Sequence, residues 1–179
     1  ANNLSIEDIH QLYRSYINPN QTDIFASLPF GNGVFENAEG VHINTSNGKK
    51  ILDFTGGLGV LGLGHNHPKI LEARINFQKE KRIEVHKIIF SKYMAALSSS
   101  ISYLLPENLK KSFFLNSGAE AVEAAIKVCY KSQNSKKQFI LFSDKSYHGK
   151  LIGSGSISGS YKKNNQFPLM ENCESFIFN

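Results

Sequence analysis

Ile6, Ile9, Leu12, Tyr13 and Tyr16 recur at helical spacing, so residues 4–17 read as an amphipathic helix with one apolar face. Ser5 and Asp8 have the spacing of an N-terminal capping box, and Asn18-Pro19-Asn20 stops the pattern. From Gly33 to Phe54 the period moves towards two. Val34, Val41 and Ile43, then Ile51, Leu52 and Phe54, are separated by turn-forming residues over 37–40 and 46–48. A small antiparallel meander is expected there.

A glycine-rich stretch, Thr55 to Gly64, leads into His65-Asn66-His67-Pro68, and Pro68 suits the first turn of a helix carrying Ile70, Ile75 and Phe77. Another helix is expected from about Tyr93 to Leu105, where Pro106 stops it. The pattern then alternates. A strand over Ser112 to Leu115 turns through Asn116-Ser117-Gly118 into a helix from Ala119 to Tyr130, with Val122, Ile126 and Cys129 on its packed face. A strand over Gln138 to Phe142 and a polar loop through Tyr147-His148-Gly149 follow. Gly153 to Gly159 reads as a close-packed segment whose small residues let backbones approach, in preference to a flexible linker. Ser175 to Phe178 has the pattern of a further buried strand. Helices alternating with short strands indicate an α/β layer with a parallel sheet. Such a sheet needs cover on both faces, and this one runs out of sequence before its next helix, so the chain is expected to be the first part of a longer protein.

Composition changes this picture little. At 179 residues, 41% hydrophobic and 20% charged, the chain suits one sizeable core and excludes collagen-like and disordered classes. No stretch has the apolar length of a membrane span, and the first residues have neither the basic nor the apolar segment of a signal peptide. The net charge of +5 is carried by scattered lysines, with only three Arg among twenty basic residues. Nucleic-acid binding would want a continuous Arg-rich stripe, so these charges read as solvated surface. Cys129 and Cys173 have neither metal nor disulfide spacing. Cys129 is expected to be a buried reduced thiol, and the cytoplasm is the expected compartment.

Two turns carry the candidate chemistry. At Asn116 to Ala119 a strand enters a helix through small residues, and Ser117 and Glu120 have capping spacing. Small side chains leave the first N–H groups of the helix accessible, and such an end attracts phosphate; ordinary capping is the plainer alternative. In open α/β sheets this turn falls at the carboxyl edge of the strands, where ligands bind. About thirty residues on, Ser146-Tyr147-His148-Gly149 makes another turn at that edge. An aromatic side chain there can lie over a planar ligand, and a glycine lets the backbone pass close.

With these turns in place the sequence resembles the class III, fold-type I, pyridoxal-phosphate aminotransferases. The resemblance runs from about Gly31 to Asn179 and is carried by Leu52-Asp53-Phe54, Gly64-His65-Asn66-His67-Pro68, Asn116 to Ala125, and Tyr147-His148-Gly149. Asn18-Pro19, Gly56-Gly57-Leu58-Gly59 and His148-Gly149-Lys150 are most similar to the putrescine and ornithine type of ω-amino-group enzymes.

The resemblance implies an α/β fold: part of a three-layer α/β/α pyridoxal-phosphate transferase large domain over 68–179, with a small α+β segment over 1–67 that contributes to the small domain and the substrate-side wall. It implies that Ser117, Gly118 and Ala119 hold the cofactor phosphate, that Tyr147 stacks on the pyridine ring with His148 beside it, and that Leu58 faces the substrate. The full-length enzyme would transfer an amino group from a primary amine, a diamine or basic amino acid, to a 2-oxo acid, as a homodimer. The Schiff-base Lys and the Asp that pairs with the pyridine nitrogen are expected downstream, because none of the seventeen lysines here matches the former. No catalytic residue is therefore placed in this chain, and the truncated piece is expected to be inactive alone. The competing expectation is a non-catalytic module that keeps part of the fold and binds a phosphorylated ligand or a protein partner.

Three other patterns are set aside. Gly57-Leu58-Gly59-Val60-Leu61-Gly62 fits a dinucleotide fingerprint, but that motif must open directly into a helix and here the helix starts only at Pro68. His65 and His67 could ligate a metal with His86, yet a hydrogen-bonded turn before Pro68 is the simpler expectation, and no metal is assigned. Lys145 and Lys150 read as solvated surface.

Overall fold

A computed structural model describes residues 3–84, 88–133, 139–159 and 168–179. The chain forms two compact units, residues 1–87 and 88–179.

In the first unit, helix α1 (Ile6–Tyr16) starts where the sequence places it. Ser5 Oγ accepts from the Asp8 N–H at 3.1 Å while Asp8 Oδ2 accepts from the Ser5 N–H at 3.0 Å. This reciprocal pairing satisfies donors that the first helical turn leaves unpaired. Asn18-Pro19 ends α1 but also begins a second helix, α2 (Pro19–Ala26), which the sequence reading did not expect. Asn18 Oδ1 accepts from the Gln21 N–H at 3.0 Å, and Pro19 stands in the first turn, where its missing N–H costs nothing. A stop signal and a start signal coincide there. Ile6, Ile9 and Tyr13 of α1 share an apolar groove of about 540 Å³ with Phe25 and Phe30, whereas Tyr16 lies outside it, exposed.

The meander is present as expected. Strands β1 (Phe35–Glu39), β2 (His42–Thr45) and β3 (Lys50–Leu52) pair antiparallel in chain order, with Ile43 opposite Ile51. The glycine-rich stretch is a coil of left-handed residues around one short turn, α3 (Gly56–Gly59), and is joined to the meander by a bridge between Gly40 and His65. Gly64 must lack a side chain: its φ is 77°, and a Cβ would stand 2.6 Å from the Gly40 carbonyl oxygen. Helix α4 (Pro68–Lys79) follows.

In the second unit, helix α5 (Lys92–Leu104) precedes α6 (Gly118–Ser132), β4 (Ile140–Ser143), α7 (Ile152–Ser156) and β5 (Cys173–Phe176). β4 and β5 are parallel, with Ile140 opposite Cys173 and Phe142 opposite Ser175. Ile126, Phe142, Ile157 and Cys173 form the buried core, and Val122, Tyr130 and Ile140 pack against it.

Four expectations need correction or adjustment. Residues 112–115 are not a strand, since no partner strand pairs with them among the described residues and a strand exists only by its ladder. The last strand begins two residues early, at Cys173, and only Cys173 is buried in it, because the core touches β5 at that end alone. Cys129 is exposed. The packed face of α6 runs Val122, Ile126, Tyr130 at four-residue steps, which leaves position 129 to one side. The strand expected from Gln138 starts at Ile140; Gln138 itself lies outside the described residues, as does His86.

Candidate functional site

The site begins at the start of α6. Ser117 is its N-cap, with φ −147° and ψ 161°, and the first intrahelical bond runs from the Ala121 N–H to the Ser117 carbonyl oxygen at 3.0 Å. The N–H groups of Gly118 and Ala119 precede that bond, so helix geometry gives them no partner within α6. Beyond its chain neighbours and its own helix backbone, nothing lies within 4 Å of where a Cβ at Gly118 would stand. Two donors at the positive end of a fifteen-residue helix, with open space beside Gly118, fit an anion of phosphate size.

The Ser117 hydroxyl is already engaged. Its Oγ accepts from the Glu120 N–H at 3.2 Å and lies 3.2 Å from Glu120 Oε2, which also accepts from the Asn116 N–H at 2.9 Å. The expected phosphate role and the ordinary capping role thus fall on one side chain. At 3.2 Å the bond to Oε2 is long for a hydroxyl donor, whose usual distance is about 2.7–2.8 Å. The proton can turn to a stronger acceptor at low cost.

The aromatic turn is brought to this helix end by a glycine. Gly149 is buried with φ 123°, and a Cβ there would stand 2.5 Å from the Ala119 Cβ and 3.1 Å from its Cα. Only a residue without a side chain lets the two backbones meet so closely. The structure therefore brings Ala119 and Gly149 together, while Tyr147, two residues upstream, is 63% exposed. His148 is half-buried, and its N–H donates to Ser158 Oγ at 2.8 Å.

Behind the turn lies the Gly/Ser segment, and every residue from Gly153 to Gly159 is buried. The close-packed expectation holds. Ser146 Oγ donates to backbone oxygens of Ser143 or Ile157 at 2.7 and 2.8 Å, and the Gly159 N–H donates to the Ser146 carbonyl oxygen at 3.0 Å. Glu123, one turn along α6 from Ala119, accepts from the Ser154 N–H at 2.7 Å. The sequence assigns no role to Glu123, which lies inside the Asn116–Ala125 motif, or to Ser158, which lies inside the Gly153–Gly159 run. The available signal was a carboxylate on a helix face opposite a glycine- and serine-rich run.

In the first unit, Leu58 is 90% exposed in the left-handed region, with φ 63°. The loop is fastened nearby by Asp53, whose side chain is 6% exposed. Asp53 Oδ1 accepts from the Thr55 hydroxyl at 2.6 Å, the Thr55 N–H at 2.8 Å and the Gly56 N–H at 3.0 Å, and Oδ2 lies 2.8 Å from His65 Nε2. These bonds, the Thr55 hydroxyl first and His65 next, hold the Asp53 carboxyl far below the usual carboxylate range. His65 and His67 thus sit in the hydrogen-bonded turn expected before Pro68: the His67 carbonyl oxygen accepts from the Ile70 and Leu71 N–H groups at 2.9 Å, although its ring Nδ1 is buried without a partner. Among the described residues no group of three metal-ligating side chains forms, and no helix is long and apolar enough to cross a membrane.

Comparison with known proteins places the chain in one family. The family model described as aminotransferase class-III matches residues 29–177. The chain is 34% identical over 166 residues to the aminotransferase PigE of Serratia sp., covering 92% of this chain and 19% of that protein. It is 37% identical over 152 residues to the acetylornithine aminotransferase of Aquifex aeolicus, covering 82% of this chain and 39% of that protein. Among solved structures it superposes on an (S)-enantioselective omega-transaminase from Thermomicrobium roseum with a TM-score of 0.82 at 22% identity, over 98% of this chain and 40% of that one. The chain thus spans two fifths or less of these relatives, and over that span it has the transaminase fold, fold type I, as expected. The bend at Ser117 and the turn at Gly149 lie within the matched segment, and the chain belongs to the class-III aminotransferase family.

Proposed function

We propose that the full-length protein is a pyridoxal-phosphate-dependent aminotransferase and that this chain supplies its phosphate cup and the face on which the cofactor ring stacks. The carrying observation is the seating of Gly149 on Ala119, which puts the turn bearing an exposed tyrosine against a helix end with free donors. In this reading the Gly118 and Ala119 N–H groups and the Ser117 hydroxyl hold the phosphate, Tyr147 lies over the ring, and His148 flanks it. When bound, the cofactor supplies an electron sink for moving an amino group between carbon skeletons. The chain's own residues bind and orient it. The lysine and the ring-pairing aspartate that the chemistry requires are assigned to sequence downstream, so the 179-residue chain alone is proposed to be inactive.

The finer reading is that the amine donor carries a terminal amino group, as in a diamine or basic amino acid, and that a 2-oxo acid is the acceptor. Its support is the similarity to acetylornithine aminotransferases, among them those of Aquifex aeolicus and Bacillus anthracis, at 37% and 35% identity. Residues 1–67 are proposed to belong to the small domain and substrate-side wall, with Leu58 as a substrate-binding residue, and 68–179 to the large cofactor domain. A homodimer in the cytoplasm completes the proposal.

Titrating the full-length apoprotein with pyridoxal 5'-phosphate tests the reading. A saturable change in near-ultraviolet and visible absorbance, with amino transfer from ornithine or putrescine to 2-oxoglutarate, is the expected result. Absence of any absorbance change would reject cofactor binding and leave the non-catalytic module as the better account.

A further inference from the structure

Tyr147 is a large exposed aromatic residue on a backbone fixed from behind, and on its His148 side the hydrogen bonds trace to one hydroxyl. Ser158 is fully buried, at 0% exposure. Its Oγ accepts from the His148 N–H at 2.8 Å and donates to the Ser154 carbonyl oxygen at 2.9 Å, with the Gly149 carbonyl at 3.2 Å as the alternative acceptor. Ser154 is in turn anchored to α6, because its N–H donates to Glu123 Oε1 at 2.7 Å. The Glu123 carboxyl also stands where a Cβ at Gly153 would be, within 2.6 Å, so the contact admits no larger residue there without a shift. A continuous path of hydrogen bonds therefore runs from α6 through Ser154 and Ser158 to the amide immediately after Tyr147.

On the reading given under Proposed function, we infer that Ser158, with Glu123 behind it, is a positioning residue that holds the aromatic turn at its place beside α6 and so sets affinity for the ring of the ligand and not for its phosphate. The cup donors, Gly118 and Ala119, stand one turn ahead of Glu123 on a helix that keeps its own hydrogen bonds whether or not Ser158 is present. On the upstream side of Tyr147 the Ser146 carbonyl accepts from the Gly159 N–H and Ser146 Oγ reaches backbone oxygens. On the His148 side, the bond to Ser158 Oγ is what ties the turn to the path from Glu123. Removing the Ser158 hydroxyl leaves a part-buried donor, the His148 N–H, and a buried acceptor both without their partner, and the turn can recover those bonds only by moving towards water. A face displaced by about 1 Å loses its stacking without harm to the cup.

The test uses the full-length apoprotein with two probes, pyridoxal 5'-phosphate and inorganic phosphate. In Ser158→Ala the Kd for pyridoxal 5'-phosphate is expected to rise about tenfold, and the Kd for inorganic phosphate to stay within about twofold. Amide exchange at His148, read without ligand, is expected to quicken by about tenfold or more. Glu123→Ala should reproduce the ring-selective loss, and Glu123→Gln, which keeps an acceptor oxygen for the Ser154 N–H, should restore the parent affinity; these two carry the test if Ser158→Ala does not fold. Equal losses for both probes, or parent-like affinity in Ser158→Ala and Glu123→Ala, would overturn the inference while the parent still binds the cofactor. A parent that binds inorganic phosphate but not pyridoxal 5'-phosphate would overturn the functional reading and this inference with it.

Discussion

Gly149 is seated directly on Ala119, close enough that a methyl group at position 149 would stand 2.5 Å from the alanine's own. Gly149→Ala is therefore a test of geometry at a single carbon. The new Cβ also meets an unfavourable φ of 123°. We expect a loss of about 1–3 kcal/mol in urea unfolding and a pyridoxal-phosphate affinity lower by at least about tenfold. An unchanged affinity would show that the approach of the turn to α6 has no part in binding.

Ser117 combines a cap and a candidate ligand, and two substitutions separate them. Ser117→Ala should cost about 1 kcal/mol of stability and Ser117→Gly only a few tenths, because glycine is tolerated at an N-cap. If the hydroxyl also donates to phosphate, both variants lose phosphate affinity equally despite that difference. Isothermal titration with inorganic phosphate, beside thermal unfolding, reads the two effects apart.

Tyr147, 63% exposed, contributes little packing to the fold. Tyr147→Ala and Tyr147→Phe should both unfold within about 0.5 kcal/mol of the parent. Cofactor affinity should fall in the alanine variant and persist in the phenylalanine variant, which keeps the ring. Equal affinities in all three proteins would remove Tyr147 from the site.

Asp53 makes the glycine-rich loop sensitive to acid. Its carboxyl titrates below the ordinary value of 3.8 because the Thr55 hydroxyl, His65 and two backbone N–H groups favour the charged form. A depressed folded-state value means that this stabilisation is complete above the unfolded-chain value and is lost as pH falls below it. Hydrogen exchange over residues 53–65 should therefore quicken as pH drops through about 4 and below, after correction for the intrinsic exchange rate. In Asp53→Asn the loop should be less protected at neutral pH and show little of that acid dependence.

What the sequence made legible follows from how local each cause is. The capping pairs at Ser5 and Ser117, the turns at Gly40 and Gly48, and the dense Gly153–Gly159 segment are decided within a few residues, and all appear where expected. Strand 112–115 failed because its apolar pattern says nothing of a neighbour to pair with. Cys129 was misplaced by one step around α6, since three-residue and four-residue spacing both look helical and only the packing against Phe142 and Ile157 selects between them. Both motif turns could be located in the sequence, but the Glu123 and Ser158 bonds behind them join residues 31 and 10 positions apart, and no local pattern announces those.

The backbone at Leu58 has a consequence for anyone who wishes to retune the protein. A leucine held at φ 63° sits in a conformation that costs an ordinary L-residue roughly 1–2 kcal/mol, and at 90% exposure it returns almost nothing to the fold through packing. Exchange for glycine or asparagine relaxes the chain, so mutant libraries at this codon begin with a reserve of tolerance.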